Sequence, residues 1–196
     1  MNAAGLPKGF IKDMIRLAII AGKGQLPVDV AAAAAADGFD VLILAIKGQS
    51  DADFTAYQTM PIRLGAIGET RAIMVQHKIE KLVMVGKVSW PSMAALSPDF
   101  DGVKLLSKMM TKGDDNALCH VAAFFAEKGI ETMAVDAFLP DRKMPLGLVA
   151  GGEPDARSMD TIVLGATVLA ALGTHDVGQS VIVQNGRVIA IEAAEG

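Results

Sequence analysis

Residues 16–46 read RLAIIAGKGQLPVDVAAAAAADGFDVLILAI, and this stretch decides the fold. It holds two continuous apolar runs, residues 16–21 and 41–46, separated by a glycine turn and an alanine-rich segment. When crossover helices bury both faces of a strand, its sequence is a continuous apolar run. In a half-exposed antiparallel strand, apolar and polar residues alternate. Pro27 fits the first turn of the intervening helix, and Gly38 fits the position just after its end. The stretch therefore predicts a βαβ unit.

The alternation of strands and helices continues along the chain. Further strands are predicted over residues 62–64, 81–85 and 130–135, and further helices over residues 68–79, 103–110 and 114–128. Such alternation is typical of a three-layer α/β domain with a mostly parallel sheet and right-handed crossovers. We therefore expect a Rossmann-like N-terminal domain over residues 14–135.

The composition then changes. Residues 136–155 contain three prolines and three glycines that interrupt every helix, so we predict a linker there. The second region, residues 156–196, begins with a helix that Ser158 can cap. It continues with a β-hairpin whose strands are predicted over residues 181–184 and 187–191, around Asn185-Gly186, the strongest two-residue hairpin signal. About 40 residues are few for an independent core, so this helix-plus-hairpin region is expected to be a partial domain.

Composition and charge exclude several classes of protein. Of the 196 residues, 52% are apolar and 20% are charged, which excludes a disordered chain. The 18 basic and 22 acidic residues give a net charge of -4, which argues against nucleic acid as a partner. The single cysteine, Cys119, forms no internal disulfide, and no uncharged stretch reaches the roughly 20 residues of a membrane span. We therefore expect a cytoplasmic protein without a transmembrane helix.

Two segments that can bind an anion follow predicted strands. Gly22-Lys23-Gly24 comes after the first strand, where glycines let backbone N–H groups approach a phosphate. It matches neither the full dinucleotide fingerprint nor a Walker loop, so an ordinary βα turn explains the motif equally well. Gly86-Lys87 follows another strand and belongs at the same carboxyl edge of the sheet, where Lys87 can neutralise a phosphate or simply be solvated.

Acidic residues form two further candidate sites. Gly113-Asp114-Asp115 precedes a helix and can supply carboxylates to magnesium or to ribose hydroxyls, although Asp114 as an ordinary N-cap explains the pattern equally well.

Carboxylates also flank the predicted hairpin. Asp176 and Gln179 precede it, and Glu192 and Glu195 follow it, so three carboxylates and an amide can converge at one end. Such a cluster can hold magnesium and position water for phosphoryl transfer, whereas many acidic hairpin ends are only solvated.

Five segments carry a resemblance that covers the chain from about residue 16 to its end. They are, in order, IIAGKGQLP, LGAIGET, LVMVGKVSWPS, KGDDNAL and DVGQSVIVQNGRVIAIEAAEG. In this order they resemble the LpxI family of UDP-2,3-diacylglucosamine pyrophosphatases. The resemblance implies a Mg²⁺-dependent hydrolase of lipid A biosynthesis that cleaves the pyrophosphate of UDP-2,3-diacylglucosamine into UMP and 2,3-diacylglucosamine 1-phosphate.

The resemblance also implies roles for the residues singled out above. The implied substrate contacts are Gly22, Gly24, Gly86, Lys87, Gly113, Asp114, Asp115 and Gln179. The implied catalytic residues, which would also be the magnesium ligands, are Asp176, Glu192 and Glu195.

The sequence departs from the family pattern in two places. Family members continue after the final Glu-Gly with Thr-Asp and more of the second domain, and that aspartate is a metal-binding and catalytic candidate. We therefore expect this chain to lack part of the family's site. Lys23 stands where family members often have a third glycine, which is expected to alter the contact with phosphate.

Other functions stay open at this point. The alternative to an enzyme is an α/β protein that binds a nucleotide or sugar nucleotide without catalysis. An NAD-dependent oxidoreductase is disfavoured, because Lys47 follows the second strand where an acidic ribose ligand is expected. The sequence leaves open whether the protein contacts the inner membrane peripherally and whether it forms a homo-oligomer.

Overall fold

A computed structural model describes residues 14–89, 98–112, 117–175 and 177–193. The chain divides into two compact units, Met1–Lys143 and Met144–Gly196.

The first unit is built on a parallel sheet of five described strands. In chain order they are β1 (Arg16–Ala21), β2 (Asp40–Ile46), β3 (Gln58–Ile62), β4 (Lys81–Val85) and β5 (Glu131–Thr132). The helices are α1 (Leu26–Ala36), α2 (Ile67–Gln76), α3 (Phe100–Lys112) and α4 (Ala117–Ala126). The order across the sheet is β3-β2-β1-β4-β5, and every neighbouring pair is parallel. The predicted Rossmann-like α/β architecture is confirmed.

The central strand β1 explains why the core has two halves. Successive side chains of a strand point to opposite faces of the sheet, so a continuous apolar run places apolar side chains on both faces. Leu17 and Ile19 pack on one face in a cluster that includes Val30 of α1. Ala18 packs on the other face in a cluster that includes Met74 of α2. The sheet is therefore covered on both sides.

The two edge strands differ from the prediction. β3 occupies Gln58–Ile62 instead of residues 62–64, and its partly polar, mostly exposed sequence carries little hydrophobic signal. Pro61 is tolerated there because an edge strand does not need every backbone donor. β5 has only two residues, because the chain turns into a 3-10 helix at Val135–Ala137 instead of extending to residue 135.

The residues that follow this 3-10 helix stay with the first unit. Phe138 is buried and packs edge-to-face on Phe39, with ring centroids 5.6 Å apart. Arg142 forms an ion pair with Asp29 of α1, with Nη2 and Oδ2 separated by 2.7 Å. The boundary between the units after Lys143 therefore lies inside the segment that the sequence predicts as a linker.

The second unit consists of a helix and a hairpin. Helix α5 (Ala156–Gly173) precedes strands β6 (Val181–Gln184) and β7 (Arg187–Ile191), which pair antiparallel. Asn185 and Gly186 both have positive φ, at 51° and 73°, as a type I′ turn requires. The hairpin is thus confirmed with the predicted bounds.

The start of α5 corrects one prediction. Asp155, and not Ser158, is the N-cap, because the Asp155 carboxylate accepts a hydrogen bond from the Ser158 N–H at 2.7 Å. The helix therefore begins at Ala156, three residues earlier than a cap at Ser158 would place its start.

Helix α5 also differs from the expectation that no segment could span a membrane. It has 18 residues and a mean hydropathy of 1.2, so by length and composition alone it is long and apolar enough to cross a membrane. The helix keeps this mean hydropathy although it contains the charged residues Arg157 and Asp160 near its start. Core helices of soluble proteins can have the same length and hydropathy, so these two properties assign no membrane role to α5.

We expect Asp155→Ala to loosen the first turn of α5 at neutral pH. Hydrogen bonds from Ser158 hold the pKa of Asp155 below its ordinary value. The stabilisation is therefore complete above the pKa of the unfolded chain and is lost as the pH falls through the lower folded pKa. Hydrogen exchange of the Ser158 amide should be faster in Asp155→Ala at pH 7, and the difference from wild type should vanish between about pH 5 and pH 2.

Asp155→Asn is the matched control, because its side-chain oxygen still accepts from Ser158 but does not titrate. Its exchange rate, corrected for the intrinsic rate, should be flat over the same pH range. If the corrected exchange rate of the Ser158 amide in the wild-type protein were equally independent of pH, the assignment of Asp155 as the cap would be contradicted.

Candidate functional site

The strands β1 and β4 end side by side at a topological switch point. From β1 the chain proceeds to β2 on one side, whereas β4 lies on the other side of β1. Open α/β sheets bind ligands outside the carboxyl ends of the strands at such a point. The structure therefore brings together, at this edge, the two segments singled out in the sequence, Gly22-Lys23 and Gly86-Lys87.

The backbones of these two segments cross at very short range. A Cβ atom on Gly22 would lie 2.6 Å from the carbonyl oxygen of Lys87, and one on Gly86 would lie 2.9 Å from the carbonyl carbon of Gly22. Glycine is needed at both positions because there is no room for a side chain. Lys23 and Lys87 then form an isolated antiparallel bridge, with N···O distances of 2.8 and 3.1 Å.

The amides of the glycine turn are occupied by protein acceptors. The N–H groups of Gly22 and Lys23 donate to the carbonyl oxygens of Val85 and Lys87. The Gly24 N–H donates to the Asp51 carboxylate at 2.8 Å. The turn therefore does not form the open amide cradle for phosphate that the sequence suggests, and Gly22 serves the close approach of the chains.

The loop after β2, which the sequence analysis did not single out, fixes both segments. The Ser50 hydroxyl donates to the carbonyl oxygen of Ala21 at 2.6 Å. The Gln49 side-chain amide donates to the Ser89 carbonyl at 2.9 Å and accepts from the Ser89 N–H at 3.1 Å. The available signal was the polar run at residues 49–51, which comes soon after a buried strand at the same edge.

A lysine follows each of three neighbouring strands at this edge. Lys23, Lys47 and Lys87 come just after β1, β2 and β4, and all three are exposed. Within the described ranges none of the three forms an ion pair. Unpaired cations at the end of a sheet attract anions, so this edge suits a ligand that carries phosphate or carboxylate.

The LGAIGET segment holds two helix ends at the same edge. Asp99 accepts hydrogen bonds at 2.8 Å from the N–H of Glu69 in α2 and, with its other oxygen, from the N–H of Gly102 in α3. Arg71 binds Asp101 at 2.8 Å and lies over the ring of Phe124. These contacts order α2, α3 and α4.

The predicted acidic site is described only in part. Glu192 Oε2 accepts hydrogen bonds from the N–H of Gln179 at 3.1 Å and from the hydroxyl of Ser180 at 2.9 Å. The Glu192 carboxylate therefore ties together the two ends of the hairpin through the backbone N–H of Gln179 and the side chain of Ser180.

Five other predicted site residues lie outside the described residues, namely Asp176, Glu195, Gly113, Asp114 and Asp115. Among the residues that the structure does describe, no group of three His, Cys, Asp or Glu side chains is placed to hold a metal ion.

Comparison with known proteins gives matches along nearly the whole chain. Residues 16–142 match the LpxI N-terminal domain, and residues 145–196 match the LpxI C-terminal domain. The UDP-2,3-diacylglucosamine pyrophosphatase LpxI of Caulobacter vibrioides is 29% identical over 186 residues. The match covers 93% of this chain, which spans 66% of the length of that curated relative.

Solved structures show only a distant likeness. The enzyme WbmH of Bordetella bronchiseptica, in complex with NAD+, has a TM-score of 0.36 and 11% identity over 59% of this chain and 36% of its own. A short-chain dehydrogenase/reductase mutant of Serratia marcescens has a TM-score of 0.33 and 14% identity over 84% of this chain and 75% of its own. Neither adds to the architecture described above.

We expect Gly22→Ala to destabilise the first unit, because its new methyl group would overlap the Lys87 carbonyl. Overpacking costs about 1–3 kcal/mol, which corresponds to a fall in Tm of roughly 2–12 °C for a chain of this size. Gly173→Ala is the control, since a Cβ there meets nothing within 4 Å. Thermal unfolding followed by circular dichroism measures both, and equal Tm values for Gly22→Ala and wild type would contradict the crossing.

We expect Asp51→Asn to tighten the binding of inorganic pyrophosphate. The asparagine oxygen can still accept from the Gly24 N–H, while the negative charge that repels an anion is removed. The expected gain in affinity is about two- to fivefold at low salt. Isothermal titration calorimetry measures it, with Asp37→Asn at the far end of α1 as the control of equal charge. An equal gain in both variants would show that only net charge matters.

Proposed function

Because the chain belongs to the LpxI family, we propose that it hydrolyses the pyrophosphate bond of UDP-2,3-diacylglucosamine, releasing UMP and 2,3-diacylglucosamine 1-phosphate. The observation that carries this proposal is the match to both family domains, in order, over residues 16–142 and 145–196. The reaction is the one that the name of the Caulobacter relative states. In this proposal the protein acts in lipid A biosynthesis.

The carboxyl edge of the first unit supports this function through its charge. A UDP-sugar carries one negative charge on each of two phosphoryl groups, and Lys87, which follows β4 at the switch point, would neutralise such a charge. Gly22 and Gly86 contribute by letting the two turns meet. Since the N–H of Gly24 is held by Asp51, a phosphate reaches that amide only if it displaces the carboxylate.

The cofactor in this proposal is magnesium. Asp176, Glu192 and Glu195 would hold it, and carboxylate oxygens are the hard ligands that Mg²⁺ prefers. Glu192 has one oxygen engaged with Gln179 and Ser180. When bound, magnesium would stabilise the negative charge that develops on the phosphoryl oxygens.

The remaining assignments rest on the resemblance alone. Gly113, Asp114, Asp115 and Gln179 would contact substrate, of which only the Gln179 environment is described. The substrate is a diacyl lipid, so a cytoplasmic protein that uses it would contact the inner membrane peripherally. Self-association into a homo-oligomer stays a prediction.

The second candidate function is binding of a nucleotide or sugar nucleotide without hydrolysis. It is favoured by one observation: Glu192 Oε2 already accepts hydrogen bonds from Gln179 and Ser180, which engages this carboxylate in holding the hairpin ends. In that case the carboxyl edge would bind the diphosphate without a catalytic centre beside it.

The decisive measurement is UMP release from UDP-2,3-diacylglucosamine in mixed micelles. We expect release with MgCl₂, loss of release with EDTA, and recovery when Mg²⁺ is restored. Glu192→Gln should lower the rate at least about tenfold, because it removes a charged ligand. Glu153→Gln, an exposed carboxylate with no assigned role, should behave like wild type.

Two outcomes would change the assignment. Binding of UDP without release of UMP at any Mg²⁺ concentration would favour the binding protein over the enzyme. Full activity of Glu192→Gln would remove Glu192 from the proposed catalytic set.

A further inference from the structure

Lys23 and Lys87 form a matched pair on one side of the sheet edge. They exchange both backbone hydrogen bonds of an antiparallel bridge, at 2.8 and 3.1 Å. Residues that pair in this way have Cα atoms about 5.5 Å apart, and their side chains leave the bridge on the same side. The bridge therefore fixes the stems of two long cationic side chains next to each other.

Neither lysine of this pair has a salt-bridge partner among the described residues. Several other cations of the first unit have carboxylate partners, as in the ion pair of Arg16 with Asp40 at 2.6 Å. Lys23 and Lys87 are exposed, and no ion pair of either is found in the part of the chain that the structure describes. Like charges directly opposite each other across strands repel. An anion that spans both would relieve this repulsion.

The spacing of the pair selects a class of anion. Two lysine side chains that start about 5.5 Å apart can bring their ammonium groups to two negative charges that are covalently linked, as in the diphosphate of a nucleoside diphosphate. A nucleoside monophosphate places its charge on one phosphorus only, so it can engage the pair less completely. Lysine acts on phosphate as a compact point charge on a flexible stem, which lets two stems adjust to one diphosphate.

We propose that Lys23 and Lys87 together form a two-lysine clamp for a nucleoside diphosphate group, in which Lys23 sets the preference for diphosphate over monophosphate. The inference deepens the proposed function, on which it rests for the identity of the ligand. Lys23 is the member of the pair for which the family resemblance supplies no role, and the bridge with Lys87 assigns it one.

The test is titration of the whole chain with UDP, UMP and inorganic pyrophosphate by isothermal calorimetry at low salt. Lys23→Gln should weaken the binding of UDP and of pyrophosphate about tenfold, the loss expected for one charge-assisted contact. The loss for UMP should be about twofold, the size of a change in local charge alone. Lys128→Gln, an exposed lysine at the end of α4, is the control with the same change in net charge. It should leave all three affinities unchanged.

The results separate this proposal from the proposed function. If UMP release fails but UDP or pyrophosphate binding falls selectively in Lys23→Gln, the clamp stands and the enzymatic proposal falls. If UDP and UMP are weakened equally, or if Lys23→Gln and Lys128→Gln are alike, the clamp is overturned even in an active enzyme. Failure of both UDP and pyrophosphate to bind the wild-type chain overturns it as well. The melting curves of both Lys→Gln variants should match that of the wild type, because the two side chains are exposed.

Discussion

Strand β1 lies in the middle of the sheet with its centre fully buried, and the rest of the first unit is arranged around that burial. Leu17, Ala18 and Ile19 have no exposed surface, and β2 and β4 pair along the two edges of the strand. Each fully buried aliphatic side chain contributes about 1.5–3 kcal/mol, so helices must cover both faces of the sheet. The crossovers that bring those helices leave only the ends of the strands for polar chemistry.

The chemistry at the carboxyl end follows from the same constraint. A strand that is apolar throughout supplies no polar group, so binding depends on the first residues after it. At β1 and β4 these are Gly22-Lys23 and Gly86-Lys87, where a glycine admits the neighbouring backbone and a lysine carries charge. The polar loop at residues 49–51 then holds the arrangement by hydrogen bonds.

Sequence predicts best where one local signal dominates. The bounds of β1, β4 and both hairpin strands were predicted to the residue, because buried apolar runs and the Asn185-Gly186 turn leave little choice. The edge strands β3 and β5 were misplaced, since a strand with one neighbour needs less apolar sequence. That the two glycine-lysine segments share an edge follows from parallel strands. The close crossing of these segments and the hydrogen bond from the Gly24 N–H to Asp51 depend on contacts between residues far apart in the chain. No local sequence pattern predicts such contacts.

The bridge between Lys23 and Lys87 also bears on the order in which the chain folds. It joins the two ends of a segment that contains α1, β2, β3 and α2, so it forms only when β4 docks beside β1. Closing so long a loop carries an entropic cost that earlier, more local contacts do not share. A partly folded chain therefore presents two separate lysines, and only the complete sheet presents the pair. An anion that binds the pair stabilises the finished fold over every intermediate that lacks β4.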